Sequence, residues 1–240
     1  MRIIGVIPAR LHSTRFPEKI LADIKGKPMI WWVWKAAKKA ETLSEVFVAT
    51  DHPKIYSAVR DFGGNAVMTS AKHKSGTDRI AEAVKGLKAD IVVNIQGDEP
   101  LIRPDMLDKA VAPFYTSPGL LMSTLVCKVK DRKLAEDTNI VKVIVDINGY
   151  AMYFSRSNIP SLARAEDFDY FYKHIGVYVY KKDFLLKYVK FKQSRLEKIE
   201  KLEQLRVIEN GYKIKVVETR FDTVPVDTKE DLAKVVKLLA

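Results

Sequence analysis

Ile3-Ile4-Gly5-Val6-Ile7-Pro8-Ala9-Arg10-Leu11-His12-Ser13-Thr14-Arg15-Phe16-Pro17-Glu18-Lys19 decides the fold, because a dense apolar run gives way at once to a cationic loop. The run Ile3 to Ile7 is short and nearly continuous, the pattern of a strand buried on both faces. Ile91 to Ile95 repeats it and breaks into Gln96-Gly97-Asp98-Glu99-Pro100. Each loop therefore leaves a strand at the carboxyl edge of a sheet, where open α/β folds hold their ligands. Arg10, Arg15 and Lys19 suit phosphates, and Asp98 suits a magnesium ion that phosphates share. Together they point to a nucleoside triphosphate site.

Outward from these loops the first half alternates strand and helix. Pro28 opens a helix, Val46 to Asp51 is a strand, and Pro53 to Phe62 is a helix closed by Gly63-Gly64. Asn65 to Thr69 is a strand, Thr77 to Leu87 a helix capped near Ser75 or Thr77, and another helix follows Pro104. Such alternation predicts a mostly parallel sheet with helices on both faces. The second half is richer in strands: Leu120 to Val129, Val141 to Asp146, Tyr150 to Phe154 after the Asn148-Gly149 turn, and His174 to Tyr180. Ser194-Arg195-Leu196-Glu197 reads as a capping box opening one helix that runs to Asn210-Gly211. Lys213 to Glu218 is the last strand and Thr228 to Leu239 the closing helix. We expect one domain over residues 1–240. The region of about 120–205 is expected to be a sugar-binding insertion with enough apolar strand surface for a homodimer.

The chain of 240 residues has 41 Lys+Arg against 30 Asp+Glu, a formal charge of +11. Its lysines are dispersed over predicted helix faces and mixed with glutamates, so no nucleic acid is expected as the main partner. The apolar runs are too short to span a bilayer, and strand one begins at once without a leader, so no stable membrane association is expected. One cysteine, Cys127, gives neither a disulfide framework nor a zinc cluster, and a cytoplasmic location is expected.

The loop after the first strand lacks the glycines of a dinucleotide turn and the Gly-Lys-Ser/Thr of a P-loop. Its backbone N–H groups, with Arg10 and Lys19, can still neutralise a triphosphate, Lys19 being placed near the phosphorus under attack. Asp227, in Pro225-Val226-Asp227-Thr228, is the expected companion of Asp98. Val224-Pro225-Val226 returns the chain to the same sheet edge, and the two carboxylates together would hold Mg2+. Thr228 to Asp231 is itself a capping box, which gives Asp227 a second possible role beside the helix dipole. Arg156 and His174 suit a carboxylate and hydroxyls, and Tyr178 shares the strand face of His174. Glu203 interrupts the apolar helix stripe of Leu196, Ile199, Leu202, Leu205 and Ile208, and either accepts hydroxyls or sits on an exposed helix face. Cys127 sits inside an apolar strand and reads as inert.

Ala9-Arg10-x-x-Ser13-x-Arg15-x-Pro17-x-Lys19 is the pattern of a sugar nucleotidyltransferase. Ser75-Gly76-Thr77-Asp78-Arg79, Gln96-Gly97-Asp98-Glu99-Pro100, Tyr153-Phe154-Ser155-Arg156, His174-Ile175-Gly176-Val177-Tyr178 and Val226-Asp227-Thr228 extend the likeness nearly from end to end. In this set the chain resembles the 3-deoxy-D-manno-octulosonate (Kdo) cytidylyltransferases. Glu18 stands where that family often carries glycine. The resemblance implies a Rossmann-like nucleotidyltransferase sheet and a reaction in which CTP and Kdo give CMP-Kdo and pyrophosphate for lipopolysaccharide biosynthesis. The sugar 2-hydroxyl would attack the α-phosphorus in line, assisted by Mg2+ on Asp98 and Asp227. It implies nucleotide contacts from Ala9, Arg10, Ser13, Lys19, Ser75, Gly76, Thr77 and Gln96. Sugar contacts would come from Arg15, Arg79, Gln96, Arg156, His174, Tyr178 and Glu203. The alternatives are another acidic sugar (8-amino-Kdo or a sialic acid) or a nucleotide- or RNA-binding module without catalysis.

Overall fold

The computed structural model describes residues 1–12, 15–162 and 168–239. Eleven strands are found among them. They are β1 (Ile3–Ala9), β2 (Asp23–Ile24), β3 (Lys27–Pro28), β4 (Glu45–Thr50), β5 (Asn65–Met68), β6 (Ile91–Asn94), β7 (Met122–Val129), β8 (Lys142–Val145), β9 (Ala151–Ser155), β10 (Phe171–Lys181) and β11 (Lys215–Thr219). The α-helices are α1 (Met29–Lys38), α2 (Pro53–Asp61), α3 (Gly76–Lys85), α4 (Pro104–Val111), α5 (Pro113–Thr116), α6 (Lys182–Tyr188), α7 (Arg195–Glu200), α8 (Leu205–Glu209) and α9 (Lys229–Leu238). A nine-stranded sheet runs β11-β7-β10-β6-β1-β4-β5, with β8 and β9 attached through β10. β1 pairs parallel with β4 and β6, β4 with β5, and β11 with β7. β10 runs antiparallel between β6 and β7, so the sheet is mixed.

The apolar runs form strands because both faces are covered. Ile3 and Ile7 join one core with Met29, Ile30 and Val33 of α1, Met106 and Leu107 of α4 and Val235 of α9. Ile4 and Val6 point into the opposite core with Ile80 and Val84 of α3, Phe184 and Leu185 of α6, and Leu205 and Val207 of α8. Alternate side chains of one strand thus feed two helical layers. Cys127 lies in the first core at 3% exposure, and burial pushes its thiol up to about 12, as an inert thiol requires.

One helix differs from the sequence reading. The stretch from Ser194 to Asn210 is two short helices, α7 and α8, broken at Lys201 in a left-handed conformation (φ 55°). The capping box does open α7, Ser194 N donating to Glu197 Oε2 at 3.1 Å. Arg206 of α8 then donates to both Glu197 oxygens, at 2.7 and 2.5 Å, folding the second helix back on the first. Ile199, expected on the buried stripe, is exposed, because the break turns it outward.

Candidate active site

From β1 the chain builds β4 and β5 on one side and then crosses to β6 on the other. The sheet order therefore reverses between β1 and β6, and a crevice opens at their carboxyl ends. The cationic loop leaves β1 there and the Gln96–Pro100 loop leaves β6. Gly97 is needed for their contact: a Cβ on it would lie 3.0 Å from Ile20 Cδ1 and 3.2 Å from the Pro8 carbonyl oxygen. A cavity of about 410 Å3 opens between them. It is lined by Ala9, Arg10, Arg15, Lys19, Ser75, Gly76, Arg79, Gln96, Asp98 and Asp227.

Lys19 is the pivot of this cavity. Its ammonium donates to Asp98 Oδ2 at 2.6 Å, to Asp227 Oδ1 at 2.9 Å and to the Val226 carbonyl oxygen at 2.9 Å. Arg15 donates to Asp227 Oδ2 at 2.9 Å, and the Val226 amide donates to the Asp98 carbonyl at 2.9 Å. Burial opposes the Lys19 charge, but Asp98 first and Asp227 second outweigh it and hold the ammonium above its ordinary pKa. Two carboxylates that share one ammonium can also share one small divalent cation. Among the described residues no third Asp, Glu, His or Cys completes a protein cage. That donor set fits a hard, oxygen-preferring cation completed by phosphate oxygens and water.

The other predicted residues fall into three groups. Ser75 caps α3, accepting from the Asp78 amide at 3.1 Å, while Gly76 packs on Pro8, where a Cβ would come within 3.2 Å of the ring. Arg10 is exposed at the rim and pairs with no described acid. Arg79 lines the cavity but is 4% exposed, with its guanidinium on Asp51 Oδ2 (2.8 Å) and Thr69 Oγ1 (2.7 Å). Ser13 lies outside the described residues.

The second group gathers beside the cavity on β10. His174 and Tyr178 have ring centroids 5.3 Å apart, and His174 Nε2 meets Thr124 Oγ1 at 3.0 Å. Burial drives the His174 imidazole down to about 3, so it is neutral, a partner for hydroxyls rather than for a carboxylate. Gln96 donates to the Gly176 carbonyl at 3.2 Å, which joins the β6 loop to this aromatic face. Glu203 accepts from Thr77 Oγ1 at 3.2 Å, leaves Oε1 buried without a partner, and is raised by burial to about 6. The break at Lys201 puts Glu203 between the helices, opposite Thr77 of α3, and not on an exposed helix face.

Arg156 stands apart. Its guanidinium donates to the carbonyls of Glu200 (3.0 Å) and Thr138 (3.1 Å), on the β8–β9 side of the sheet. Its strand neighbour Phe154 provides the link, packing edge-on at 5.1 Å from the His174 ring.

Sequence reasoning missed His73 and Lys74, which line the cavity just before the Ser75 cap. A histidine and a lysine just before a helix N-terminus at a sheet edge would have been the signal. It also missed Asp51, the acid that neutralises Arg79. Asp51 is visible only as the polar end of a strand.

A family model for cytidylyltransferases matches residues 4–214. A 3-deoxy-manno-octulosonate cytidylyltransferase of Geotalea daltonii is 49% identical over 100% of this chain and 98% of its own length. One of Fusobacterium nucleatum is 48% identical over 100% and 97%. Among solved structures, a CMP:2-keto-3-deoxy-manno-octonic acid synthetase in complex with CTP superposes with a TM-score of 0.95. It is 42% identical over 100% of this chain and 98% of that one.

Proposed function

The chain belongs to the cytidylyltransferase family, beside the 3-deoxy-manno-octulosonate cytidylyltransferases, and we propose that its crevice is where CTP and Kdo become CMP-Kdo and pyrophosphate. The enzyme is a nucleotidyltransferase with CTP as its nucleotide substrate. The observation that carries the reading of the site is the convergence of Asp98 and Asp227 on Lys19 beneath a cationic loop.

Ala9 at the end of β1, with Arg10 and Ser13 after it, receives the triphosphate. Lys19 supplies charge at the α-phosphorus. Ser75, Gly76 and Thr77 read the cytosine at the start of α3, and Gln96 reaches ribose or sugar. Neutral His174, Tyr178 and Glu203 meet the sugar hydroxyls, and Arg156 and Arg15 supply the cations for an acidic sugar, while Arg79, held by Asp51, serves as a wall of the cavity. The 2-hydroxyl displaces pyrophosphate in line, with no enzyme nucleophile. Asp98 and Asp227 are the residues that would hold Mg2+, which when bound lowers the pKa of an attacking oxygen and offsets phosphate charge. Their geometry supports that assignment: two hard carboxylate donors face one cation position.

We read residues 1–240 as one domain and about 120–205 as the sugar-binding and dimerisation region. Exposed Ile147 and Met152 on the β8–β9 hairpin support a homodimer, which light scattering would detect. No helix of the described residues is long and apolar enough to cross a membrane. The single buried, unpaired thiol supports a cytoplasmic setting.

The decisive experiment crosses four nucleoside triphosphates with Kdo, 8-amino-Kdo and a sialic acid, with and without Mg2+, and reads pyrophosphate release. CTP with Kdo and Mg2+ is expected to stand alone. Equal release with a second nucleotide, or full release in EDTA, would refute this assignment.

A further inference from the structure

Asp227 reaches the cavity on an irregular stretch, residues 221–227, that has no strand ladder to fix it. The Val226 amide on the Asp98 carbonyl (2.9 Å) and the Asp227 amide on Asp231 Oδ2 (3.2 Å) hold its end, and a polar cluster behind the cavity adds side-chain support to the stretch before it. The Lys173 ammonium of β10 pairs with the Asp222 carboxylate at 2.7 Å and donates to the Thr223 carbonyl at 3.2 Å. The Asp222 carboxylate also accepts from the Thr223 amide at 2.7 Å. Thr223 is 1% exposed, and its side chain lies beside the carboxyl of Glu99. Glu99 is 7% exposed with Oε2 unpartnered, and it directly follows Asp98 in the chain. One end of this cluster therefore adjoins Asp98 in the chain, and the other begins the stretch that ends in Asp227.

A buried acid and a nearly buried lysine cost folding free energy that an apolar pair would not. Neither touches the cavity, so they are not explained by contact with substrate. We propose that Lys173, Thr223 and Glu99 form a positioning latch that fixes the segment Asp222 to Asp227 against the Asp98 loop, and so sets the spacing of the two cation-binding carboxylates. Lys173 adjoins His174, and neighbouring residues of a strand face opposite sides of the pleat. One side of β10 thus holds the metal loop and the other presents the aromatic face to the sugar. The inference rests on the metal reading above and adds the residues that hold its geometry.

The test is Mn2+ binding to the protein–CTP complex, followed by electron paramagnetic resonance of free Mn2+, beside CTP binding in EDTA and thermal melting. Lys173→Met should weaken Mn2+ binding about 10- to 100-fold, the range found when residues behind metal ligands are removed. CTP binding in EDTA should be unchanged, and Lys173→Arg should keep most of the Mn2+ affinity. Loss of a positive charge near a cation site would by itself tighten Mn2+ binding, so weakening reports position and not charge. Parent-like Mn2+ affinity in Lys173→Met overturns the latch, even where its melting temperature falls. Should that variant not fold, Thr223→Val is read by the same criterion. Asp227→Asn is the reference. If it also binds Mn2+ like the parent, the metal reading itself has failed, whereas loss in Asp227→Asn alone condemns only the latch.

Discussion

Lys19 shows how one side chain can organise a site. Its ammonium is shared by Asp98 and Asp227, residues separated from it by 79 and 208 positions in the chain. Removing either carboxylate's charge removes half of the oxygen pair, and electrostatic help of this kind is worth several kcal/mol of barrier. Asp98→Asn and Asp227→Asn should each lower kcat by more than about 100-fold with the fold intact, each 1.4 kcal/mol being tenfold in rate. Near-parent turnover in both would contradict the role. Arg79 carries a different kind of prediction. Its side chain is 5% exposed and that of Asp51 is 19% exposed, so Arg79→Met strands a largely buried carboxylate. The expected loss is about 3 kcal/mol of stability, measured by urea unfolding. The sequence displayed Arg79 as a cation near a cavity. That Asp51 and Thr69 hold it there was not legible, because nothing local links the end of β4 to α3.

Among elements, the loop after β1 departs most from local preference. Glu18 adopts φ 55° just before the turn of Lys19–Leu21, a conformation in which a non-glycine residue carries strain. The glycine that the resemblance implies at this position would carry no such strain. Glu18 also accepts from Lys54 at 2.5 Å, but both side chains are about half exposed, and such pairs contribute little. Glu18→Gly should therefore stabilise the protein by about 0.5–1 kcal/mol, the relief of left-handed strain outweighing glycine's entropy. A lower melting temperature would show that the Lys54 pair matters more. The second element of note is the break at Lys201. A stripe of Leu196, Ile199, Leu202, Leu205 and Ile208 reads as one helix because periodicity alone cannot register a competing tertiary pair. The Arg206–Glu197 pair, with side chains 11% and 5% exposed, favours two helices folded together.

At the scale of the whole molecule, two buried groups give stability opposing pH slopes. Glu203 is raised from 4.5 to about 6, so its contribution is fully present below pH 4.5 and is lost as pH rises through 6. That difference amounts to about 2 kcal/mol. His174 is lowered from 6.5 to about 3. The unfolded chain binds its proton first, so stability is lost as pH falls from 6.5 toward 3. Glu203→Gln removes the first slope. Its melting temperature relative to the parent should rise between pH 4.5 and 6 and level off above. A flat difference across that range would place Glu203 in solvent. The net charge of +11 belongs to this scale too, as a field that gathers a polyanionic nucleotide.

By itself the sequence determined the buried strands, the two loops that follow β1 and β6, and the residue types able to handle phosphate and a divalent cation. These are local properties: a run of branched apolar residues, a proline or glycine after it, and a charge on the turn. Only the tertiary structure decided that Lys19 would hold both acids, that Arg79 would spend its fork on Asp51, and that Glu203 would meet Thr77. Each of those pairs crosses from one packed layer or loop to another. Their partners are chosen by how the two cores close, and no spacing along the chain encodes that choice.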